Sequence, residues 1–292
     1  MAGTWALLPA ADRTRGLGTI VNRFRGDLRL FPNPERWLGP HAPGFPVLGT
    51  VPFRPELQPE EEDGLVEADA DRGNGDLMVW VLLPHAANLT DCQPWWSDQG
   101  VRVRWSASPG ELAAARVIVL PGSKNTLADL RWLRTTGLAD TICATARRGA
   151  LIIGLCGGYQ MLGERVSDST GVAGDAGDEP GLGLLPVQTE FADKKLMRQV
   201  TVECDGRRWS AYEIHMGRTD LVRPVDTLNN VWEGDLMRTE RVLCGGVWGT
   251  YLHGWFEAPE VRRRVAEAAG FIGYRADPMP WAEQRERVCS DG

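Results

Sequence analysis

The chain has 292 residues and 43% hydrophobic content, which is enough for one large core or two smaller ones. Its formal net charge is −7 and it has no basic block, so we expect no nucleic-acid partner. No apolar run approaches the roughly 18 residues of a membrane helix, and the first residues lack the pattern of a signal peptide, so we expect no membrane partner.

The six cysteines are scattered without a C-x-x-C pair, so their spacing fits neither a zinc site nor a small disulfide scaffold. We therefore expect a soluble cytoplasmic protein with no metal site. The sequence contains no Gly-Lys-Ser or Gly-Lys-Thr, which excludes a Walker A phosphate loop. If the reaction of this protein uses ATP, we expect the phosphate cradle to lie outside this chain.

The first part of the chain is predicted to hold two strands, at residues 17–26 and 46–52, with one short helix between them. Two strands and a helix make too small a core for an independent domain. We interpret residues 1–55 as the C-terminal remnant of a domain, disordered or poorly packed when alone, and expect the chain to be a fragment. The acidic residues 56–76, punctuated by Gly and Pro, are interpreted as a linker.

From Leu77 onward, apolar β-rich runs alternate with helical patterns as far as residue 275, and a tail follows at 276–292. This alternation predicts an α/β fold with a mostly parallel sheet and helices on both faces. Residues 171–183 are interpreted as a surface loop. The predicted strands are 77–83, 101–105, 115–120, 150–155, 183–190, 198–204, 208–214 and 242–252, and the predicted helices are 125–136, 138–148 and 259–269.

An apolar run that ends at residues 154–158 (Gly-Leu-Cys-Gly-Gly), followed by a helical pattern, predicts a nucleophile elbow at Cys156. Such a strand-to-helix turn is strained, and the flanking glycines permit it. A helix N-terminus also favours the thiolate form of a cysteine. Free cysteines are often merely small buried hydrophobic residues, but the glycine frame favours the catalytic interpretation here.

A thiolate nucleophile needs an acid–base partner and donors for the oxyanion. Of the four histidines, His253 and His215 each end an apolar run, and position alone does not decide between them. The predicted oxyanion donors are the N–H of Gly157 and an N–H of the strand-to-helix loop that contains Gly122 and Ser123.

Four segments together resemble the glutamine amidotransferase domain of the cobyric acid synthase family. They are residues 119–126 (Val-Leu-Pro-Gly-Ser-Lys-Asn-Thr), 154–163 (Gly-Leu-Cys-Gly-Gly-Tyr-Gln-Met-Leu-Gly), 212–219 (Tyr-Glu-Ile-His-Met-Gly-Arg-Thr) and 249–256 (Gly-Thr-Tyr-Leu-His-Gly-Trp-Phe). Residues 84–91 (Pro-His-Ala-Ala-Asn-Leu-Thr-Asp) resemble the opening of that domain. Residues 22–27 resemble the end of the family's dethiobiotin-synthetase-like ATP-binding domain.

The resemblance implies a class I glutamine amidotransferase-like fold in which Cys156 and His253 hydrolyse L-glutamine. It also suggests Gly122, Ser123, Gly157, Tyr159 and Gln160 for oxyanion and glutamine binding. In better-known class I amidotransferases, a Glu stands two positions after the histidine, whereas this sequence has Trp255. Two acids nearby, Glu213 and Glu257, are candidates to orient His253 instead.

The resemblance further implies that the ammonia amidates a corrinoid, adenosylcobyrinic acid a,c-diamide, in cobalamin biosynthesis. ATP and Mg²⁺ are implied for the synthetase domain, which is either absent from this fragment or carried by a separate polypeptide. Related alternatives are the glutaminase subunit of lipid II isoglutaminyl synthase and cobyrinic acid a,c-diamide synthase. A non-catalytic binding module and a cysteine hydrolase of another substrate are alternatives of other classes.

Overall fold

A computed structural model describes residues 2–25, 27–31, 33–42, 44–52, 71–174, 176–223, 241–244 and 246–284. The chain divides into two compact units, one of Met1–Pro59 with Val288–Gly292 and one of Glu60–Arg287. Most of the segment interpreted as a linker, residues 56–70, lies outside the described residues, as does the end of the tail, residues 285–292. No helix in the described ranges is long and apolar enough to cross a membrane.

The first unit contains two parallel strands, β1 (Thr19–Phe24) and β2 (Val47–Pro52), which pair with an irregular register. Both strands were predicted from sequence. Their apolar side chains are largely exposed, with Ile20 at 54% and Leu48 at 62% of full exposure. The helices of this unit are α1 (Ala2–Leu7), α2 (Ala10–Arg13) and α3 (Pro34–Leu38), with a 3₁₀ turn at Leu28–Leu30.

The second unit is built on a seven-stranded sheet in the order β14-β15-β9-β7-β4-β6-β3. The strands from β15 to β6 are parallel, and the edge strands β14 and β3 are antiparallel to their neighbours. These strands are β3 (Asp71–Gly73), β4 (Gly75–Val81), β6 (Gly100–Ser106), β7 (Val117–Leu120), β9 (Leu151–Leu155), β14 (Arg241–Cys244) and β15 (Val247–Thr250). The predicted mostly parallel α/β sheet is thus confirmed, although residues 71–76, expected in the linker, belong to β3 and β4.

Alternating side chains of the central strands enter two separate cores, because successive residues of a strand point to opposite faces. In β4, Val79 and Val81 pack against helices α4 to α7, whereas Met78 and Trp80 pack on the face that carries α8. Helices therefore cover both faces, as predicted. The helices are α4 (Pro109–Ala114), α5 (Thr126–Thr135), α6 (Leu138–Arg147), α7 (Gly157–Leu162) and α8 (Pro259–Ala268).

A second sheet, in the order β11-β10-β12-β13-β16, was not predicted. Its strands are β10 (Arg165–Asp168), β11 (Gly177–Pro180), β12 (Val187–Cys204), β13 (Arg207–Leu221) and β16 (Leu252–His253). The two strands predicted at 183–190 and 198–204 are one strand, whose register with β13 is irregular between Glu190 and Lys195. The predicted loop at 171–183 contains β11. Val202, Cys204 and Ala211 of this sheet join the α8-side core, which explains why that face needs fewer helices.

Candidate active site

Cys156 lies in the sharp turn between β9 and α7, so the predicted strand-to-helix elbow is confirmed. Its backbone has φ 50° and ψ −109°, a conformation that non-glycine residues rarely adopt. The Cys156 N–H donates to the Thr250 carbonyl at 2.8 Å, which continues the ladder between β9 and β15 as far as the turn. The surrounding structure therefore holds the strained residue in place, as expected for a functional site.

Close packing of backbone against backbone explains the glycines on either side of Cys156. A Cβ atom on Gly158 would lie 2.0 Å from the Leu120 carbonyl oxygen, and one on Gly154 would lie 2.7 Å from the Gly158 backbone. A Cβ on Gly157 would lie 2.7 Å from the Ser123 nitrogen. Any side chain at these positions would push α7 away from the sheet, and Cys156 would move with it.

His253, at the end of β16, is fully buried and has a carboxylate at the Nδ1 edge of its imidazole. Its Nδ1–H donates to Asp91 Oδ2 at 2.7 Å, and the next backbone amide, Gly254 N–H, donates to Asp91 Oδ1 at 2.9 Å. On the opposite side, Nε2 lies 3.2 Å from Nδ2 of Asn88. The Tyr212 ring stacks on the imidazole with a centroid distance of 5.2 Å. Both the position and the orientation of the ring are therefore fixed.

The surroundings of His253 favour its charged form. Burial alone lowers the pKa of the imidazole, but the Asp91 carboxylate, through its charge and hydrogen bond, raises it more strongly. A hydrogen bond with Cys156 and the charge of that residue act in the same direction, and the pKa of His253 rises to about 10. At neutral pH the site thus holds an imidazolium beside the sulfur, which stabilises negative charge there.

The two acids expected to orient His253 are engaged elsewhere. Glu213 Oε2 accepts a hydrogen bond from Arg198 Nε at 2.5 Å, and Glu257 Oε2 accepts one from the Ala282 N–H at 2.9 Å. The structure places Asp91 on the histidine instead. Sequence reasoning missed Asp91 because 162 residues separate it from His253, although it ends the noted segment 84–91. Asp91 follows β4 at the carboxyl edge of the parallel sheet, where functional groups of α/β folds lie, and this position is the signal that could have identified it.

The second histidine left open by the sequence, His215, lies inside β13 and not at its end. Its ring stacks on Tyr251 at a centroid distance of 3.7 Å, and its Nδ1–H donates to the Gly217 carbonyl at 3.2 Å. Its Nε2 is buried without a hydrogen-bond partner. Burial lowers the pKa of His215, so this imidazole is neutral.

The structure brings the predicted oxyanion loop to the elbow. A Cβ on Gly122 would lie 3.6 Å from Cε1 of His253, and Ser123 N adjoins Gly157. The Lys124 N–H donates to the His85 carbonyl at 2.9 Å and is therefore occupied. The Cys156 Sγ also lies 3.4 Å from the Ile214 carbonyl of β13, so the second sheet closes this side of the site.

Tyr159 and Gln160, suggested for glutamine binding, point into the core, and each is 2% exposed. The amide of Gln160 accepts from Thr126 Oγ1 at 3.1 Å. It donates to the Met216 carbonyl at 3.0 Å and to the Tyr251 hydroxyl at 3.1 Å. These bonds use both of its N–H groups. Gln160 and Tyr159 are therefore buried side chains of α7 next to the elbow, and their suggested contact with glutamine stays a prediction.

Comparisons with known proteins show the family of the chain. Residues 78–261 match the CobB/CobQ-like glutamine amidotransferase domain. Cobyric acid synthase of Roseiflexus castenholzii is 41% identical over 290 residues, which cover 93% of this chain and 57% of that protein. Cobyric acid synthase of Chloroflexus aggregans is 41% identical over 275 residues, 90% of this chain and 55% of that protein. A crystal structure described as a glutamine amidotransferase superposes on 66% of this chain and 98% of its own, with a TM-score of 0.48 and 18% identity.

Proposed function

Because the chain belongs to the CobB/CobQ-like glutamine amidotransferase domain family, we propose that it hydrolyses L-glutamine with Cys156 as nucleophile and His253 as acid–base partner. The observation that carries this proposal is that Cys156 stands at a strained strand-to-helix turn beside the buried His253, whose Nδ1–H donates to Asp91 at 2.7 Å. The arrangement meets the requirements of a nucleophile, a base within hydrogen-bond reach and a third group that orients the base.

In the first half of the proposed reaction, the Cys156 sulfur attacks the side-chain amide carbon of glutamine and the carbonyl oxygen becomes an oxyanion. His253 then donates its Nε2 proton to the amide nitrogen, ammonia leaves, and a γ-glutamyl thioester remains on Cys156. Asp91 holds the Nδ1–H and stabilises the imidazolium throughout, so the proton available for transfer is the one on the side of the sulfur.

The N–H groups of Gly157 and Ser123 are suited to bind the oxyanion, because the two residues adjoin each other beside the nucleophile. In the second half, His253 accepts a proton from water, and the resulting hydroxide attacks the thioester carbon. Glutamate then leaves and Cys156 is regenerated. One fixed set of groups thus serves both halves because the histidine alternates between acid and base.

We further propose that the ammonia amidates carboxylates of a corrinoid, adenosylcobyrinic acid a,c-diamide. The support for this step is the similarity to cobyric acid synthases, of which the chain spans little more than half the length. In the described ranges, no group of three or more His, Cys, Asp and Glu side chains is arranged to hold a metal ion. By the same similarity to cobyric acid synthases, we propose that ATP and Mg²⁺ act in a synthetase domain, and no step of the glutamine hydrolysis described above runs through them.

The names of these relatives favour this reaction over the lipid II and cobyrinic acid a,c-diamide alternatives. The strained elbow and the charged histidine favour an enzyme over a non-catalytic binding module, since a scaffold gains nothing from either feature.

The test is glutamate release from glutamine by the wild-type chain, Cys156→Ser and Cys143→Ser, each with and without an ATP-binding synthetase domain supplied in trans. Cys143 is a free cysteine on α6, outside the site, so Cys143→Ser is the matched control. We expect release by the wild type and the control, and loss of release in Cys156→Ser. Release that survives in Cys156→Ser, or none by the wild type under either condition, would contradict the proposal.

A further inference from the structure

Asp129, in the first turn of α5, is a fully buried carboxylate with no role in the reaction described above. Its Oδ2 accepts a hydrogen bond from Ser123 Oγ at 2.6 Å. Its Oδ1 accepts from His85 Nδ1 at 2.8 Å and from the His85 backbone N–H at 3.3 Å. Because a buried carboxylate is costly unless its oxygens are bonded, this cluster constrains its three members strongly.

The donors to Asp129 come from two loops that both reach the site. Ser123 belongs to the oxyanion loop after β7, and His85 belongs to the loop after β4 that continues to Asn88 and Asp91. The two loops also pair directly, since β5 (Ala86–Ala87) and β8 (Gly122–Ser123) form a short antiparallel ladder. Asp129 therefore links, by buried hydrogen bonds, the loop of the oxyanion donors to the segment that carries the partners of His253.

An oxyanion donor must be placed within a few tenths of an ångström, and a displacement of about 1 Å costs on the order of 100-fold in rate. The Ser123 side chain has two bonds that set its backbone, one to Asp129 and one from the Asn125 N–H at 3.0 Å. Without the carboxylate, the Ser123 hydroxyl loses the acceptor of its own hydrogen bond, and the loop loses this bond to α5.

We infer that Asp129 is a positioning residue for the oxyanion site, acting through Ser123 on one loop and through His85 on the other. This inference rests on the proposed glutamine hydrolysis. The competing explanation is that Asp129 only stabilises the start of α5, where a negative charge is favourable in any protein. Only the positioning role predicts that kcat falls in variants of Asp129 that still fold.

The experiment compares Asp129→Asn, Ser123→Ala and the double variant with the wild type. For each we would measure kcat, KM, melting temperature and the rate at which iodoacetamide alkylates Cys156, followed by peptide mass. Asp98→Asn is the control, because Asp98 is another fully buried carboxylate, paired with Arg262 and remote in role from the elbow. Ser123→Ala removes one hydroxyl and keeps the backbone, so it remains informative if Asp129→Asn fails to fold.

We expect Asp129→Asn to lower kcat by about 10- to 100-fold with KM changed less than about threefold, because only transition-state contacts are disturbed. Alkylation of Cys156 should keep its wild-type rate. The double variant should be no worse than Asp129→Asn, since both substitutions break the same contact. Asp98→Asn should lower the melting temperature and keep kcat.

Wild-type kcat in folded Asp129→Asn or in Ser123→Ala would overturn the inference and leave the proposed function intact. Equal losses of kcat and of alkylation rate would also overturn it, because the nucleophile itself would then be disturbed. Absence of glutamine hydrolysis by the wild type both with and without the synthetase domain, with Cys156 still alkylated, would instead refute the proposed function and the inference that rests on it.

Discussion

His253 and His215 are both buried histidines of the second sheet, yet their surroundings favour opposite charge states. His253 has the Asp91 carboxylate at 2.7 Å, and its pKa rises to about 10. His215 has the Tyr251 ring against its face and a backbone carbonyl on Nδ1, and burial lowers its pKa. Burial is common to both, so the carboxylate makes the difference between an acid–base group and a structural side chain.

Asp91→Asn tests this difference between the two histidines most directly, because it gives His253 an uncharged neighbour like those of His215. We expect kcat for glutamine hydrolysis to fall by about 10³- to 10⁴-fold, as for the corresponding change in Ser-His-Asp enzymes. We also expect the pKa of His253 to fall well below about 10, because burial would then dominate. Steady-state kinetics and NMR titration of the four histidines measure both effects.

The control for this prediction is Asp98→Asn, which removes a buried carboxylate from Arg262 and not from a histidine. It should leave the titration of His253 unchanged. A His253 that keeps its high pKa in Asp91→Asn would contradict the assignment of Asp91 as the cause.

The pH dependence of stability and of glutamine hydrolysis in the wild type tests the same difference between the two histidines. The folded-state pKa of His253, about 10, lies above its ordinary value of 6.5, so folded protein holds this proton more tightly than unfolded protein. This contribution to the free energy of unfolding is fully present below pH 6.5 and is lost as pH rises through about 10. Glutamine hydrolysis should decline over the upper part of this window, because ammonia takes its proton from His253.

Denaturation at a series of pH values measures the stability contribution of His253, and a pH–rate profile measures the decline in glutamine hydrolysis. In Asp91→Asn the decline in rate should move to lower pH. A wild-type profile that falls already near pH 6.5 would mean that His253 titrates as an ordinary histidine.

Asn88→Ala tests the opposite side of the His253 ring, where Asn88 Nδ2 lies 3.2 Å from Nε2. Asn88 Oδ1 also accepts from the Tyr212 hydroxyl at 3.3 Å, so its loss releases two neighbours of the histidine. Nε2 accepts from this amide only while the imidazole is neutral, as it is between the two halves of the reaction, so we expect a loss of only about 1 kcal/mol, or roughly fivefold in kcat. A kcat loss as large as that of Asp91→Asn would instead give Asn88 a direct part in the chemistry.

The smallest effect is expected for His215→Phe, which keeps the stacking on Tyr251 and removes a buried nitrogen that has no partner. The lost hydrogen bond to the Gly217 carbonyl and the removed unpaired nitrogen roughly cancel, so stability should change by less than about 1 kcal/mol. Glutamine hydrolysis should stay within about twofold of wild type. His215→Asp, by contrast, should unfold the site, because a buried carboxylate would lack a partner.

The sequence was a good guide where local chemistry decides the structure. Apolar, β-rich runs predicted the central strands, and the glycine frame predicted the turn at Cys156 because backbone contacts such as that of Gly158 with Leu120 leave no room for a side chain. Prediction from sequence failed where a strand pairs with a segment that is distant in the chain. The second sheet depends on long antiparallel pairing of β12 with β13. The register of this pairing is irregular, and the single strand β12 was therefore predicted as two short strands.

Side-chain direction is a second feature that the sequence does not give. Gln160 belongs to a motif that surrounds the nucleophile, but on α7 it faces the core and bonds to Thr126, Met216 and Tyr251. Asp91 and Asp129, in contrast, stand in or beside segments noted for their resemblance, and only the fold shows that they meet His253 and Ser123. Proximity in sequence thus identified the region of the site and not the atoms that form it.

The site joins parts of the chain that are remote in sequence, since 162 residues separate His253 from Asp91 and 124 separate Tyr212 from Asn88. Contacts of this range form slowly because loop-closure entropy must be overcome before they stabilise the chain. During refolding from denaturant, we therefore expect the helices to recover before the two sheets enclose the histidine. Catalytic activity in this protein is consequently a reporter of the last stage of folding, and its recovery should lag behind that of helical circular dichroism.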